Sequence, residues 1–212
     1  MARLSFAGTL DGSTYEGMPV SGRVTSFYGV VRPELSQGKG HSGVDIAAVE
    51  GTPILAPMDG VVNDRFTTEE TVSWRINVAR IFGNCLMLRH SDSDGSLLGY
   101  SIYCHMASEP QAQRGNSVKQ GDLLGVIGST GQSTGPHLHW GVTVSDNPYF
   151  SRRKGLNDAF KFLEINNEAV SAKQANHDEL QANANDLIDS GQSIMNDLID
   201  TLQGKVEDMG GN

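Results

Sequence analysis

Residues 135–142 read GPHLHWGV, with His137 and His139 separated by a single leucine. In an extended strand successive side chains point to opposite faces, so the two histidines share one face while Leu138 and Trp140 share the other. The segment therefore reads as a strand of a sheet, holding two imidazoles side by side. Such a pair serves a metal or a proton relay, or it is simply two surface histidines on an edge strand. The chain has only six histidines, so the decision rests on what converges with these two.

Working outward, the chain up to about residue 150 is written in short apolar runs broken by Gly, Pro, Asn and Asp. GTPILAPMDGVV (51–62), GNCLMLRH (83–90), YSIYCHM (100–106), GDLLGVIGS (121–129) and HLHWGVTV (137–144) are each strand-sized and bounded by turn residues. This pattern predicts a mainly β, antiparallel domain over 22–150, preceded by a lead-in at 1–21. One insert, 64–82, interrupts it. Val72, Trp74, Ile76 and Val78 alternate there with polar or small residues, which predicts a further two-faced strand, as a hairpin extending the sheet or walling a groove.

Residues 151–212 follow another pattern and are expected to form an acidic α-helical tail. Residues 1–156 hold 13 Lys and Arg against 14 Asp and Glu, whereas 157–212 hold 3 against 11, so the net charge of −9 belongs to the tail. Leu187, Ile188, Ile194, Met195, Leu198, Ile199, Leu202, Val206 and Met209 recur at helical steps, and NDLID occurs at 185–189 and again at 196–200. The tail is either a helix packed on its own domain or an arm that docks on a partner protein or on copies of itself. Neither region carries the basic stripe of a nucleic-acid binder. No apolar run approaches the ~20 residues needed to span a bilayer. The N-terminus shows no apolar signal-peptide segment. That leads us to expect either a mature form or export by another route, as for a lysin carried in a bacteriophage tail.

Upstream, GHSGVDIAA places His41 and Asp45 four residues apart at a turn entering a strand. Two imidazoles and one carboxylate form a standard three-ligand set for catalytic zinc, with a fourth position left open. His105, in YSIYCHM, is a further candidate. Strict alternation would put it on one face with Tyr103, and Cys104 on the other as a small buried hydrophobe. Cys85 and Cys104 are too few for a disulfide framework, although a bridge between them is geometrically open. Tyr100 and Tyr103 read as groove wall, and the glycine-rich GSTGQSTGP reads as a wall or a plain turn.

The ordered motifs are H-x-x-x-D, G-x-P-I-x-A-P-x-D-G-V-V, G-N-x-L-x-L-x-H, Y-x-H and V-x-x-G-D-x-x-G-x-x-G-x-T-G-x-S-T-G-P-H-L-H. In this order they resemble the lysostaphin-type zinc endopeptidases that cut peptidoglycan cross-bridges. The resemblance runs from about Gly22 to Val144, roughly three-fifths of the chain. It departs from the family in the long 64–82 insert and in everything after Asn157. It implies a lysostaphin-like antiparallel fold, with His41, Asp45 and His139 as ligands of Zn2+ and His137 and His105 as the catalytic pair. His137 is then the general base and His105 the stabiliser of the oxyanion, or the reverse. The implied substrate is a peptidoglycan peptide, met at the cell wall or in the periplasm. The alternative is a structural, assembly or wall-recognition protein that retains the domain without catalysis.

Overall fold

A computed structural model of the chain describes residues 6–10, 13–31, 40–144, 156–157, 159, 162, 179–188, 190, 192 and 195. A hairpin of β1 (Phe6–Leu10) and β2 (Ser13–Met18) leads into β3 (Arg23–Ser26) and β4 (Val44–Ala47). Next come β5 (Pro53–Leu55), β6 (Gly60–Phe66), helix α1 (Ser73–Phe82), β7 (Asn84–Ser91) and β8 (Leu97–Met106). The series closes with β9 (Ser117–Val118), β10 (Leu123–Val126), β11 (His137–Thr143) and β12 (Leu156–Asn157). One antiparallel sheet runs β3-β4-β11-β8-β7-β6-β9, with β12 also on β11, and β5 pairs with β10 apart from it. The strands read from the sequence runs are all present, and the mainly β architecture is as expected.

GPHLHWGV continues into β11 near the middle of this sheet, paired with β4 on one side and β8 on the other. Its alternation is the predicted one. Leu138, Trp140 and Val142 are fully buried in the main core with Val44 and Ile46 of β4 and Leu86, Leu88 and Tyr103 of β7 and β8. Each such large apolar side chain contributes about 1.5–3 kcal/mol by leaving water. The opposite face carries a smaller cluster of Phe66, Cys85, Met87, Tyr100, Ile102 and Cys104. Both tyrosines are therefore core residues rather than groove wall. Tyr103 is fully buried, Tyr100 nearly so, and burial pushes the Tyr103 hydroxyl above its ordinary range.

The insert departs from its expected form. Residues 73–82 are an α-helix, not an alternating strand. The alternating Val72, Trp74 and Ile76 are all exposed. The residues that face inward are Arg75, Val78, Ala79 and Phe82, which follow a 3.6-residue period. Arg75 anchors this face. Its guanidinium donates to Asp64 at 3.0 Å, to Glu70 at 2.9 Å and to the Arg65 carbonyl, and lies 4.4 Å over the Phe66 ring. The helix stops at Gly83, whose φ of 66° suits glycine. A Cβ there would also stand 2.3 Å from Thr130 Oγ1, so the helix end seats directly on the glycine-rich loop.

The chain divides into two compact units, Met1–Leu163 and Glu164–Asn212. The first extends beyond the boundary at 150 suggested by composition. Ala159 and Phe162 are buried in the main core, and the Phe162 ring meets His90 at 5.8 Å. In the second unit residues 179–188 are helical, with Leu180, Leu187, Ile188 and Met195 exposed. His177, the second NDLID copy, and Ile194, Leu198, Ile199, Leu202, Val206 and Met209 lie outside the described residues. Among the described residues no helix is long and apolar enough to cross a membrane.

Candidate functional site

Three elements bring the predicted donors together. Asp45 on β4 and His139 on β11 are direct cross-strand partners, and His41 stands at the turn entering β4. The turn is tight because a Cβ at Gly43 would lie 2.4 Å from the Trp140 carbonyl. The result is a triangle of ligand atoms. His41 Nε2 and His139 Nδ1 each lie 3.0 Å from Asp45 Oδ1, and 3.1 Å from one another.

Proton positions follow from what each ring touches. His41 Nδ1 is 3.0 Å from the Phe27 carbonyl, which can only accept, so Nδ1 carries the hydrogen. Its Nε2 lone pair then faces the Asp45 carboxylate. That opposition of lone pairs is relieved by a positive charge shared between them, either an added proton or a metal ion. Two imidazole nitrogens and a carboxylate oxygen are the donor set zinc favours. Tetrahedral bonds of about 2.0–2.2 Å require donors roughly 3.3 Å apart, close to the spacing here. The residues thus fit a divalent ion. His41, Asp45 and His139 are a group that can hold one.

Electrostatics agree with a charged carboxylate. Burial alone would raise the Asp45 pKa, but the His139 and His41 imidazoles, which bond the carboxylate when they carry the shared positive charge, outweigh it and hold the carboxyl well below its usual range. Burial pushes the His139 imidazole down, against the pull of Asp45.

His137 and His105 flank the triangle. His137 Nε2 is 3.8 Å from Asp45 Oδ1, and the His105 ring lies 4.6 Å from that of His137 and 6.1 Å from that of His139. Both have Nδ1 on a carbonyl of the glycine-rich loop, His137 on Gly135 at 2.8 Å and His105 on Thr130 at 2.7 Å. Both therefore leave Nε2 as the nitrogen with the lone pair, and that of His137 faces Asp45. The loop that read as a wall or a plain turn is what orients these two rings. Burial lowers the His105 pKa to about 4.

His105 reaches this face by a route that alternation does not foresee. Tyr103 pairs with Leu86 and Met106 with Asn84, so Cys104 and His105 together oppose Cys85 in a β-bulge. His105 has φ of 62°, a left-handed conformation that costs a non-glycine residue about 1–3 kcal/mol. The expectation that His105 shares a face with Tyr103 is corrected accordingly. Tyr103 points into the core, and the bulge turns His105 back to the face of His139.

Other groups at the site left weak sequence signals or none. Ser26 Oγ lies 3.1 Å from His41 Nδ1, Ser42 Oγ 3.4 Å from His139 Nε2, and the Phe82 ring 5.5 Å from the His139 ring. Carbonyls such as that of Phe27 are invisible in a sequence, because every residue has one. Cys85 and Cys104 are buried free thiols, and burial raises the Cys104 thiol well above its ordinary pKa, as suits an inert hydrophobe. His90 is fully buried. Its Nδ1 donates to the Asp59 carbonyl at 2.8 Å and its Nε2 lies 2.6 Å from Ser101 Oγ, so it is structural.

Known proteins resemble this chain in sequence and in fold. The chain is 37% identical over 127 residues to the DD-carboxypeptidase/endopeptidase Mpg of Neisseria meningitidis serogroup B, covering 59% of this chain and 25% of that protein. It is 34% identical over 125 residues to the peptidoglycan DD-endopeptidase ShyC of Vibrio cholerae, covering 58% and 25%. The chain thus spans about a quarter of the length of these relatives. Its fold matches the catalytic domain of lysostaphin from Staphylococcus simulans with a TM-score of 0.51 and 27% identity, over 68% of this chain and 92% of that one. The signature of Peptidase family M23 matches residues 39–150, which contain all five converging side chains. With more than half of its length inside that signature, and a lysostaphin-like sheet beneath it, the chain belongs to peptidase family M23.

Proposed function

We propose that this protein is a metal-dependent endopeptidase that hydrolyses peptide cross-links of bacterial peptidoglycan, acting at the cell wall. The observation that carries the reading is the convergence of three ligand atoms within about 3 Å of one another, flanked by two histidine rings whose Nδ1 atoms are held on carbonyls, leaving Nε2 free. His41, Asp45 and His139 would hold the ion, and the donor set favours zinc. Such an ion supplies Lewis acidity toward an amide carbonyl and acidifies water. His137 accepts the proton of the attacking water at Nε2 and returns it to the leaving amine. The nearby Asp45 carboxylate favours the imidazolium formed meanwhile. His105 flanks the tetrahedral oxyanion as its stabiliser, or the two histidines exchange roles, His105 then serving as the base through the Nε2 lone pair that its Nδ1–H bond to Thr130 leaves free. That division of labour is read from the pH–rate profiles of the single variants.

The test is digestion of purified peptidoglycan with fragments identified by mass spectrometry, before and after chelation, after zinc add-back, and with His137→Ala. New amine termini that vanish on chelation, return with zinc and fail in the variant support the peptidase. No cleavage of several wall chemotypes by zinc-loaded protein would leave the domain as a recognition or assembly module.

The exposed Leu180, Leu187, Ile188 and Met195 favour a second role for the acidic segment, as an arm that docks on a partner protein or another copy. Attachment to a larger particle such as a phage tail belongs to this reading. Removing 164–212 and following sedimentation tests it.

A further inference from the structure

We infer that Thr130 and Asn84 are positioning residues that lock His105 into its left-handed conformation and its Nδ1–H tautomer. The inference rests on the reading of His105 as a catalytic group. The bulge that turns His105 inward breaks the β7–β8 ladder, and Asn84 and Met106 form the first pair beyond it. Thr130 bridges that gap with both ends of its residue. Its carbonyl accepts from His105 Nδ1 at 2.7 Å, while its hydroxyl donates to the Met106 carbonyl at 2.8 Å and accepts from the Asn84 N–H at 3.0 Å.

Asn84 closes the circuit and is itself buried. Its Nδ2 donates to the same Met106 carbonyl at 3.4 Å, and its Oδ1 accepts from the Thr68 N–H at 3.0 Å. Met106, which follows His105, and Asn84 across the ladder are thereby tied to one point. A hydroxyl is required there because a single atom must donate to one backbone group and accept from another. Serine meets that requirement and the isosteric valine does not. Gly83 and Gly131 leave room for the arrangement, since a Cβ on Gly131 would lie 2.3 Å from the Gly83 nitrogen. The clamp therefore joins the end of α1 to the loop that carries His137.

The test pairs Thr130→Val with Thr130→Ser, using soluble cross-linked muropeptides as probe and ¹⁵N NMR of the imidazoles as a readout independent of turnover. Thr130→Val is expected to lower kcat roughly 10–100-fold through misplacement of His105, with KM and bound-metal stoichiometry unchanged. It is also expected to replace the single Nδ1–H signature of His105 by a tautomer mixture. Thr130→Ser should restore both. In the native chain His105 should show the Nδ1–H tautomer, and this measurement stands even if the valine variant does not fold. An Nε2–H tautomer in the native chain would overturn the proposal. So would a valine variant with native kcat, or a loss that serine does not restore. His105→Ala with undiminished rate would instead overturn the underlying reading of His105. A silent Thr130→Val beside a disabled His105→Ala overturns the clamp alone.

Discussion

His105 stands with its ring 4.6 Å from that of His137, although the residue that β8 pairs with β11 at this point is Cys104, opposite His139. A bulge and one left-handed residue separate the two positions. The local backbone thus puts a thiol in the ladder and an imidazole beside the His41–Asp45–His139 group.

Removing either flanking histidine should disable chemistry without emptying the site. We expect His137→Ala and His105→Ala each to lower the rate of cross-link cleavage by about 10²–10⁴-fold, with bound metal retained. Elemental analysis alongside mass-spectrometric rates checks this. Loss of metal in either variant would move that residue among the ligands.

Removing a ligand should do the opposite. Asp45→Ala and His139→Ala should bind no stoichiometric zinc after dialysis, and their cleavage should fall to the level of chelated native protein. Asp45 is the more telling change, because both His41 and His139 lean on its Oδ1 at 3.0 Å. A zinc-replete Asp45→Ala protein would contradict the assignment.

Stability should fall in mild acid, and His90 should carry part of the loss. Burial lowers its pKa from 6.5 to about 4, outweighing the raising effect of the Asp59 carbonyl bond. The unfolded chain therefore binds a proton that the folded chain refuses. Stability is complete above pH 6.5 and declines as pH falls from 6.5 toward 4, by about 3 kcal/mol for this group. Thermal melts of native protein and His90→Gln at pH 7.5 and 5 test it. The variant should lose less on acidification.

Arg75→Met should loosen α1. It strands the buried Asp64 and the partly buried Glu70 without their hydrogen-bonded cation. The expected loss is roughly 2 kcal/mol, with Tm lowered by about 4–8 °C in circular dichroism. Because Phe82 at the helix end lies 5.5 Å from the His139 ring, cleavage should weaken as well. An unchanged Tm would show that the helix is held by other contacts.

Truncation should locate the end of the peptidase unit. A chain ending at Leu163 should keep the melting temperature and cleavage rate of the full chain. One ending at 150 lacks β12, Ala159 and Phe162, and should melt lower or fail to fold. Phe162→Ala alone should cost about 3–5 kcal/mol. Equal stability of the two truncations would exclude 151–163 from the fold.

Much of the site was legible because its signals are local. GPHLHWGV announces a two-faced strand by its period of two, and β11 keeps that alternation without a break, with Leu138, Trp140 and Val142 inward. His41, Asp45, His105, His137 and His139 could be named as candidates because ligand and proton-transfer chemistry restricts the residue types, and the resemblance carried by the ordered motifs supplied their expected roles. The insert misled for the converse reason. Val72, Trp74 and Ile76 alternate, but they are exposed, and the side that decides the conformation is set by Arg75 reaching Asp64, a residue in another element. Where the fold ends was also hidden, since composition changes near 150 while Ala159 and Phe162 still pack in the core.

By itself, then, the sequence determined the sheet, the family and the candidate residues that fold together. Periodicity and side-chain chemistry are properties of short segments, and they survive without coordinates. Only the tertiary structure decided that 73–82 is a helix, that His105 crosses to the face of His139, and which carbonyl fixes each imidazole proton. Those outcomes depend on groups far apart in the chain, the Phe27, Thr130 and Gly135 carbonyls among them. Every residue offers a carbonyl, so only folding selects the one that matters.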